Sequence, residues 1–149
     1  METTTLTSCN DSTLSPYIPT SENPWNVTKI NHAFRRIGFG ASQDKVDAAL
    51  GLSPNVFIDN LVEGAFNLVT TSAPFWGDYA VSDFTDFETD NEQYIQDWKI
   101  QAGNDFITED LRGRLTSFWM NHFVTGLETY FYSPYLFQYY NTSQTHALG

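Results

Sequence analysis

Residues 26–38, NVTKINHAFRRIG, decide the fold class because they carry the full set of signals for a short amphipathic helix. Asn26 can cap this helix by accepting a hydrogen bond from a free backbone N–H. Apolar residues then recur at helical spacing, namely Val27, Ile30, Ala33, Phe34 and Ile37. Gly38 and Gly40 follow, and we expect one of them to be left-handed and to end the helix. The stretch therefore predicts a helix with one buried side.

Two further helices are predicted directly after this one. Ser42 can cap a short helix that Gly51 closes and whose apolar positions are Val46, Ala49 and Leu50. Ser53-Pro54 starts a third helix, because proline is favoured at the first helical position, where its missing N–H costs nothing. The buried stripe of that helix is predicted to be Phe57, Ile58, Leu61, Val62 and Ala65. Short turns between the three helices indicate a compact helical assembly.

The remainder of the chain predicts a loop and three more helices. Pro74, Gly77 and isolated aromatic residues between positions 67 and 85 indicate a long loop that packs by its rings. A fourth helix is expected from about residue 86 to 102, ended by Gly103-Asn104, with inward residues Phe87, Tyr94, Ile95 and Trp98. Thr108 should cap a fifth, whose predicted inward stripe is Leu111, Leu115, Phe118, Trp119, His122 and Phe123. After a turn at 126–133, Ser133-Pro134 starts a sixth.

The predicted fold class is all-α, an irregular bundle of about six helices with a long aromatic-rich loop. Only residues 128–132 resemble a strand. We expect residues 1–24 to form a flexible polar arm and residues 25–149 a helical domain that belongs to a larger one and is truncated at its C-terminal end. The aromatic segment at 130–140 needs covering, and we expect the missing C-terminal part of a parent chain or a protein partner to cover it.

Composition excludes several classes of function. Seven Lys and Arg against 18 Asp and Glu give a net charge of -11. This balance argues against nucleic acid and against an anionic membrane surface, since both require clustered basic residues. The single cysteine, Cys9, excludes an internal disulfide framework. No signal peptide and no transmembrane segment is seen, so a cytoplasmic location is the default expectation.

Five carboxylates crowd ten residues before the fourth helix: Asp83, Asp86, Glu88, Asp90 and Glu92. A calcium site is one interpretation, although the glycine of the calcium-loop pattern is absent. The favoured interpretation is that these acids complement the dipole at the start of the helix.

The candidate catalytic residues are His122, His32, Arg35, Arg36 and His146, and the three histidines are also weak candidates for metal ligands. His122 is expected to point inward from the fifth helix, either as a general base or ligand or as a structural core histidine. No histidine spacing typical of a metal site occurs. Arg35 and Arg36 are expected to form structural ion pairs at the end of the first helix, with anion binding as the alternative. The sequence identifies no cofactor.

Three motifs resemble one family. Residues 32–40 (HAFRRIGFG), 118–125 (FWMNHFVT) and 146–149 (HALG) are similar, in the same order, to segments of a bacterial family of uncharacterised proteins, domain of unknown function 1800. Met120 and Thr145 depart from its usual histidine and arginine. The resemblance implies that this chain is the N-terminal portion of a longer protein and that all three histidines fall in motif positions. It implies no settled reaction.

Two hypotheses follow. The first is the helical part of an enzyme, with His122, His32 and Arg35 or Arg36 lining a pocket; a metal, if bound, would be zinc, iron or manganese. The second is a non-catalytic helical interaction or structural module.

Overall fold

The computed structural model describes residues 16–123 and 131–149, and in these two ranges it contains six α-helices and no strand. The all-α prediction is therefore confirmed. The helices are α1 (Val27–Ile37), α2 (Gln43–Leu50), α3 (Pro54–Asn67), α4 (Phe87–Thr108), α5 (Leu111–His122) and α6 (Ser133–Thr145), with a short 3₁₀ helix at Val81–Asp83. None of these helices is both long enough and apolar enough to cross a membrane. Residues 1–15, with Cys9, and most of the 126–133 turn and of the strand-like 128–132 lie outside the described residues.

The predicted caps of the first three helices are confirmed. The side-chain oxygens of Asn26, Ser42 and Ser53 accept hydrogen bonds from backbone N–H groups three residues further on, at 3.1, 3.4 and 3.4 Å. Gly40, at φ +131°, supplies the positive backbone angle expected after α1.

The first hydrophobic core lies among α1, α2 and α3 and consists of Ile30, Phe34, Val46, Ala49 and Phe57. The rings of Phe34 and Phe57 meet edge to face at 5.1 Å, a favoured aromatic geometry. Four residues predicted to face inward are instead exposed, namely Val27, Leu50, Ile58 and Val62. Each helix in this region buries only a narrow stripe, so apolar residues beside the stripe remain in solvent.

The second hydrophobic core joins the aromatic loop to α4 and α6 through Trp76, Trp98, Ala102, Leu136, Phe137 and Tyr140. The loop packs by its rings as predicted, since Trp76 stacks on Tyr94 at 5.4 Å. Leu136, Phe137 and Tyr140 are buried within the chain itself. The expectation that segment 130–140 needs an outside cover therefore requires correction. Among the described residues of this segment, the large hydrophobic side chains that stay exposed are Phe131 and Tyr135.

The boundary between α4 and α5 differs from the prediction. Helix α4 continues through Gly103-Asn104 to Thr108, and the Thr108 hydroxyl donates back to the carbonyl of Asn104 at 2.9 Å. Thr108 therefore ends α4 and does not cap α5. The helix continues because Asp105, which lies beyond the predicted stop, is buried, as is Ala102 just before it. The turn is made at Asp110, which has φ +48°.

Helix α5 buries a different side from the predicted one. Its buried residues are Arg112, Gly113 and Thr116, while Phe118, His122 and Phe123 are exposed. Gly113 explains the reversal, because a Cβ there would lie 2.5 Å from the carbonyl oxygen of Phe106. Helix α5 approaches α4 through this glycine, so its aromatic side faces away from α4.

Helix α6 begins at Ser133 as predicted, but Tyr132 occupies the cap position and Ser133 lies inside the helix. A side chain of α4 replaces the expected serine cap. Asn91 accepts from the backbone N–H of Ser133 at 2.7 Å and donates to the carbonyl of Phe131 at 2.8 Å. The start of α6 is thereby fixed to α4.

Candidate functional site: a histidine-containing cleft

Three of the candidate residues lie on α1, away from the other two. His32, Arg35 and Arg36 are all exposed. The two arginines occupy the last turn, where they complement the helix dipole. The expected ion pairs are not formed, because no carboxylate in residues 16–123 or 131–149 lies within salt-bridge distance of either guanidinium.

The other two candidates are close to one aromatic surface. His122 ends α5 and is exposed, so the prediction of an inward side chain is wrong. Its ring stacks on Phe118 at 5.6 Å and meets Trp119 and Phe123 at 5.9 and 5.3 Å. His146 follows α6 and is also exposed. Trp119 and Phe123 connect the two histidines, since both of these rings also face the cleft that contains His146.

This cleft lies between α5 and α6 and has a volume of about 320 Å³. Two groups of residues line it, one from each helix region: Trp119 and Phe123, then Tyr139, Thr142, Ser143 and His146. The first group is apolar and aromatic, whereas the second carries hydroxyl groups and an imidazole. Within residues 16–123 and 131–149, His146 is the one acidic or basic side chain that lines the cleft.

Two hydrogen bonds hold the walls of the cleft together. The indole N–H of Trp119 donates to the carbonyl of Ala147 at 3.0 Å. The hydroxyl of Tyr139 donates to the carbonyl of Met120 at 3.1 Å. Both bonds connect α5 to the α6 region, so the cleft has a defined shape before any ligand arrives, and a preformed site spares binding the cost of ordering it.

The three histidines do not assemble a metal site. Across the described part of the chain, no three His, Cys, Asp or Glu side chains lie close enough together to hold a metal ion. The acidic stretch also has a structural use. Asp86 accepts from the backbone N–H of Thr89 at 3.3 Å, and Asp90 accepts from those of Thr85 and Asp86, both at 3.1 Å. These contacts agree with the favoured interpretation of the acids as helix-start residues.

A buried polar network that the sequence does not predict connects α4, α5 and α6. Asp105 accepts from the hydroxyls of Thr71 and Tyr140 at 2.6 and 2.8 Å. Gln144 donates to Glu109 at 2.8 Å and accepts from the backbone N–H of Thr71 at 2.9 Å. Burial raises the pKa of Tyr140 well above its usual range, and the hydrogen bond to Asp105 raises it further. The tyrosine therefore acts as a permanent donor.

Arg112 extends this network to the segment that follows α3. Its guanidinium pairs with both carboxylate oxygens of Glu109, at 2.6 and 2.9 Å. It also donates to the carbonyls of Leu68 and Val69, at 2.5 and 2.8 Å. The only signal in the sequence is a set of polar residues at inward helical positions, which a search for apolar periodicity ignores.

Together, the fold and this site define a small all-helical domain with a cleft that contains a histidine. The comparisons with known proteins add the family. A family profile described as "Protein of unknown function (DUF1800)" matches residues 32–149, most of the chain. The chain belongs to this family, as the three motifs indicated. The search of curated proteins and the search of solved structures gave no match.

Proposed function

We propose that the α5–α6 cleft binds a small uncharged organic molecule with a flat apolar body and one hydrogen-bonding group. The observation that carries this proposal is the composition of the cleft, in which His146 lies among hydroxyl side chains opposite Trp119 and Phe123. Small-molecule sites are concave, mostly apolar and supplied with few polar groups, and their volumes begin near 300 Å³. The volume of about 320 Å³ fits a ligand of one or two rings.

The charge of the chain favours an uncharged ligand. A net charge of -11 repels anions at long range. Among the residues that the structure describes, no carboxylate lines the cleft to attract a cation. A neutral imidazole offers one donor and one acceptor, so His146 can orient a hydroxyl or a carbonyl group of the ligand.

Catalysis at this site is the further part of the proposal. An imidazole beside a bound ligand can transfer a proton as a general acid or base. His146 lies in the cleft, and His122 packs on two of its aromatic walls. His146 is the proposed catalytic residue, and His122, which does not line the cleft, is a proposed positioning residue for Trp119 and Phe123. His32, Arg35 and Arg36 are on α1 and do not line this cleft.

The binding proposal is tested by titrating the ¹⁵N-labelled chain with 2-naphthol, a flat neutral probe with one hydroxyl group. We expect saturable shifts at Trp119 and Phe123, and about fivefold weaker binding in His146→Ala, the effect of one neutral hydrogen bond. His32→Ala is the matched control and should bind as the unmodified chain does. Equal affinity in His146→Ala, or shifts confined to α1–α3, would contradict the proposal.

The second candidate function is a non-catalytic interaction module. The observation that favours it is the exposure of Phe118 (52%) and Phe123 (63%) beside the cleft, because exposed apolar patches mark interaction surfaces. Sedimentation equilibrium over a range of concentrations tests the interaction module against the small-molecule site. Concentration-dependent association that Phe118→Ser abolishes favours the module, and a chain that stays monomeric counts against it.

A further inference from the structure

The outward side of α4 carries no charge along its whole length. The buried residues of this 22-residue helix are Asn91, Trp98, Ala102 and Asp105. The opposite side presents six residues at alternating spacings of four and three, which we name the α4 seam: Thr89, Gln93, Gln96, Ile100, Gly103 and Ile107. A surface helix normally turns its charged side chains to solvent. The α4 seam has none, in a chain with 18 acidic residues.

The spacing of the α4 seam is that of a helix–helix contact. Alternating steps of four and three average 3.5 residues, the period at which one helix of a coiled coil meets its partner. Ile100 and Ile107 lie one such heptad apart, and each is 66% exposed. Protein interfaces are depleted of charged residues at their centre. Both the period and the composition of the α4 seam therefore indicate a contact surface.

Gly103 lies between the two isoleucines and has no structural reason within the described fold. Glycine inside a helix costs about 0.5–1 kcal/mol relative to alanine. The close approach of α4 explains this cost at Gly113, whereas no side chain or neighbouring helix of the described chain lies within 4 Å of a Cβ added at Gly103. The glycine leaves a shallow hollow between Ile100 and Ile107 that a side chain from outside can fill.

A second copy of α4 fits this hollow when the two helices run antiparallel. If they cross between residues 101 and 102, Ile100 of each copy lies over Gly103 of the other, and the contacts are reciprocal as a two-fold axis requires. Asp97 then faces Asn104 of the second copy, so no like charges meet. A parallel pair would place glycine against glycine and Glu92 beside Asp97, which leaves a void and opposes two carboxylates.

We propose that the α4 seam is the interface of an antiparallel homodimer. Burial of Ile100 and Ile107 from both copies supplies the driving force. A seam along one helix buries less than the roughly 800 Å² per partner of a standard interface, so the dimer is weak and reversible. The proposal is independent of the function proposed for the α5–α6 cleft, since none of the residues that line the cleft belongs to α4.

Sedimentation equilibrium of the full chain at low and high sodium chloride tests the dimer. We expect a monomer–dimer equilibrium that tightens with salt, because each copy carries a net charge of -11 and salt screens their repulsion. A chain that stays monomeric at about 1 mM overturns the proposal, because even a weak interface associates at that concentration. A dimer that salt weakens also overturns it, since ion pairs between copies would then hold it together.

Glutamate substitutions locate the interface. Ile100→Glu and Ile107→Glu should each fold normally because the side chains are exposed, and each should raise the dimer Kd at least about tenfold by placing an unpaired charge in the seam. Phe66→Glu is the matched control, since this side chain on α3 is 63% exposed, and it should leave the Kd unchanged. Equal effects of all three variants, or a dimer that only Phe118→Ser weakens, would overturn the assignment of the interface to α4.

The direction of the helices is tested in a sample that mixes ¹³C-labelled and unlabelled copies. We expect isotope-filtered nuclear Overhauser effects from the Ile100 methyl groups of one copy to the Hα protons of Gly103 in the other. Effects between Ile100 and Ile100 would show a parallel pair and contradict the antiparallel arrangement. Effects from Ile100 to a helix other than α4 would overturn the proposed pairing altogether.

Discussion

The region of α1–α3 and the region of α4–α6 are both helical, but they are held together differently. The first has an apolar core whose helices begin at side-chain caps supplied by the preceding residue. The second has an aromatic core beside a buried network that includes Asp105, Arg112 and Gln144. Local signals therefore specify the first region, whereas hydrogen bonds between distant residues specify the second.

The contrast has an energetic basis. Burying an apolar side chain is favourable wherever it is placed, so a core of this kind tolerates small shifts of its helices. A buried polar group is costly unless its partners are in position. The network consequently fixes one arrangement of α4, α5 and α6, and Arg112 connects this arrangement to the backbone after α3.

The largest expected effect comes from breaking the network at its cation. Arg112→Ala should lower the free energy of unfolding by about 4 kcal/mol, because removing one partner leaves Glu109 buried without its counter-charge. Urea denaturation measures this change. Arg35→Ala is the control and should change stability by less than about 0.5 kcal/mol, as surface substitutions do. Similar losses of unfolding free energy in both variants would show that the buried network of the second region contributes no more to stability than a surface arginine does.

A glycine pair tests the close contact of α4 and α5. Gly113→Ala should destabilise by about 2 kcal/mol, since its Cβ would collide with the Phe106 carbonyl. Gly103→Ala is matched to it, because that glycine is inside α4 with nothing within 4 Å of an added Cβ. There alanine should stabilise by about 0.5–1 kcal/mol through its better helix propensity. Thermal unfolding of both variants gives the comparison, and the same sign in both would contradict this packing.

Removing a cap tests the first region. Asn26→Ala should cost about 1 kcal/mol, the usual value for a lost helix cap. Asn60→Ala, in the middle of α3, is the control and should cause no loss. Equal stabilities of Asn26→Ala and the unmodified chain in urea would show that α1 does not depend on its local start signal.

The smallest effect is confined to alkaline solution. Because the pKa of Tyr140 is raised in the folded chain, its contribution to stability is complete below the unfolded value near 10 and is lost as the pH rises above it. We expect the unmodified chain to lose stability above about pH 10 and Tyr140→Phe to lose less. Parallel pH profiles of unfolding for the two proteins would argue against a raised pKa.

The same contrast explains how much the sequence predicts. The starts of α1, α2 and α3 are correct, because a cap and an apolar stripe lie within a few residues of each other. The predicted stop at Gly103 is wrong, since the burial of Asp105 depends on Thr71 and Tyr140, which are far away in the sequence. No local pattern contains that information.

The candidate site shows the same limit. His146 and His122 were predicted as candidates, and Trp119 and Phe123 bring them to one surface. The apolar stripe of α5 nevertheless suggested that His122 points inward. Periodicity identifies which residues share a side of a helix, but it does not reveal that Gly113 lets the opposite side approach α4.

The most direct measurement of the central claim is the set of intermolecular nuclear Overhauser effects between 2-naphthol and the imidazole protons of the three histidines. We expect contacts from the bound probe to His146 and to the ring of Trp119, with none to His32. Contacts to His32, or a bound probe that touches neither His146 nor Trp119, would contradict the assignment of the α5–α6 cleft as the functional site.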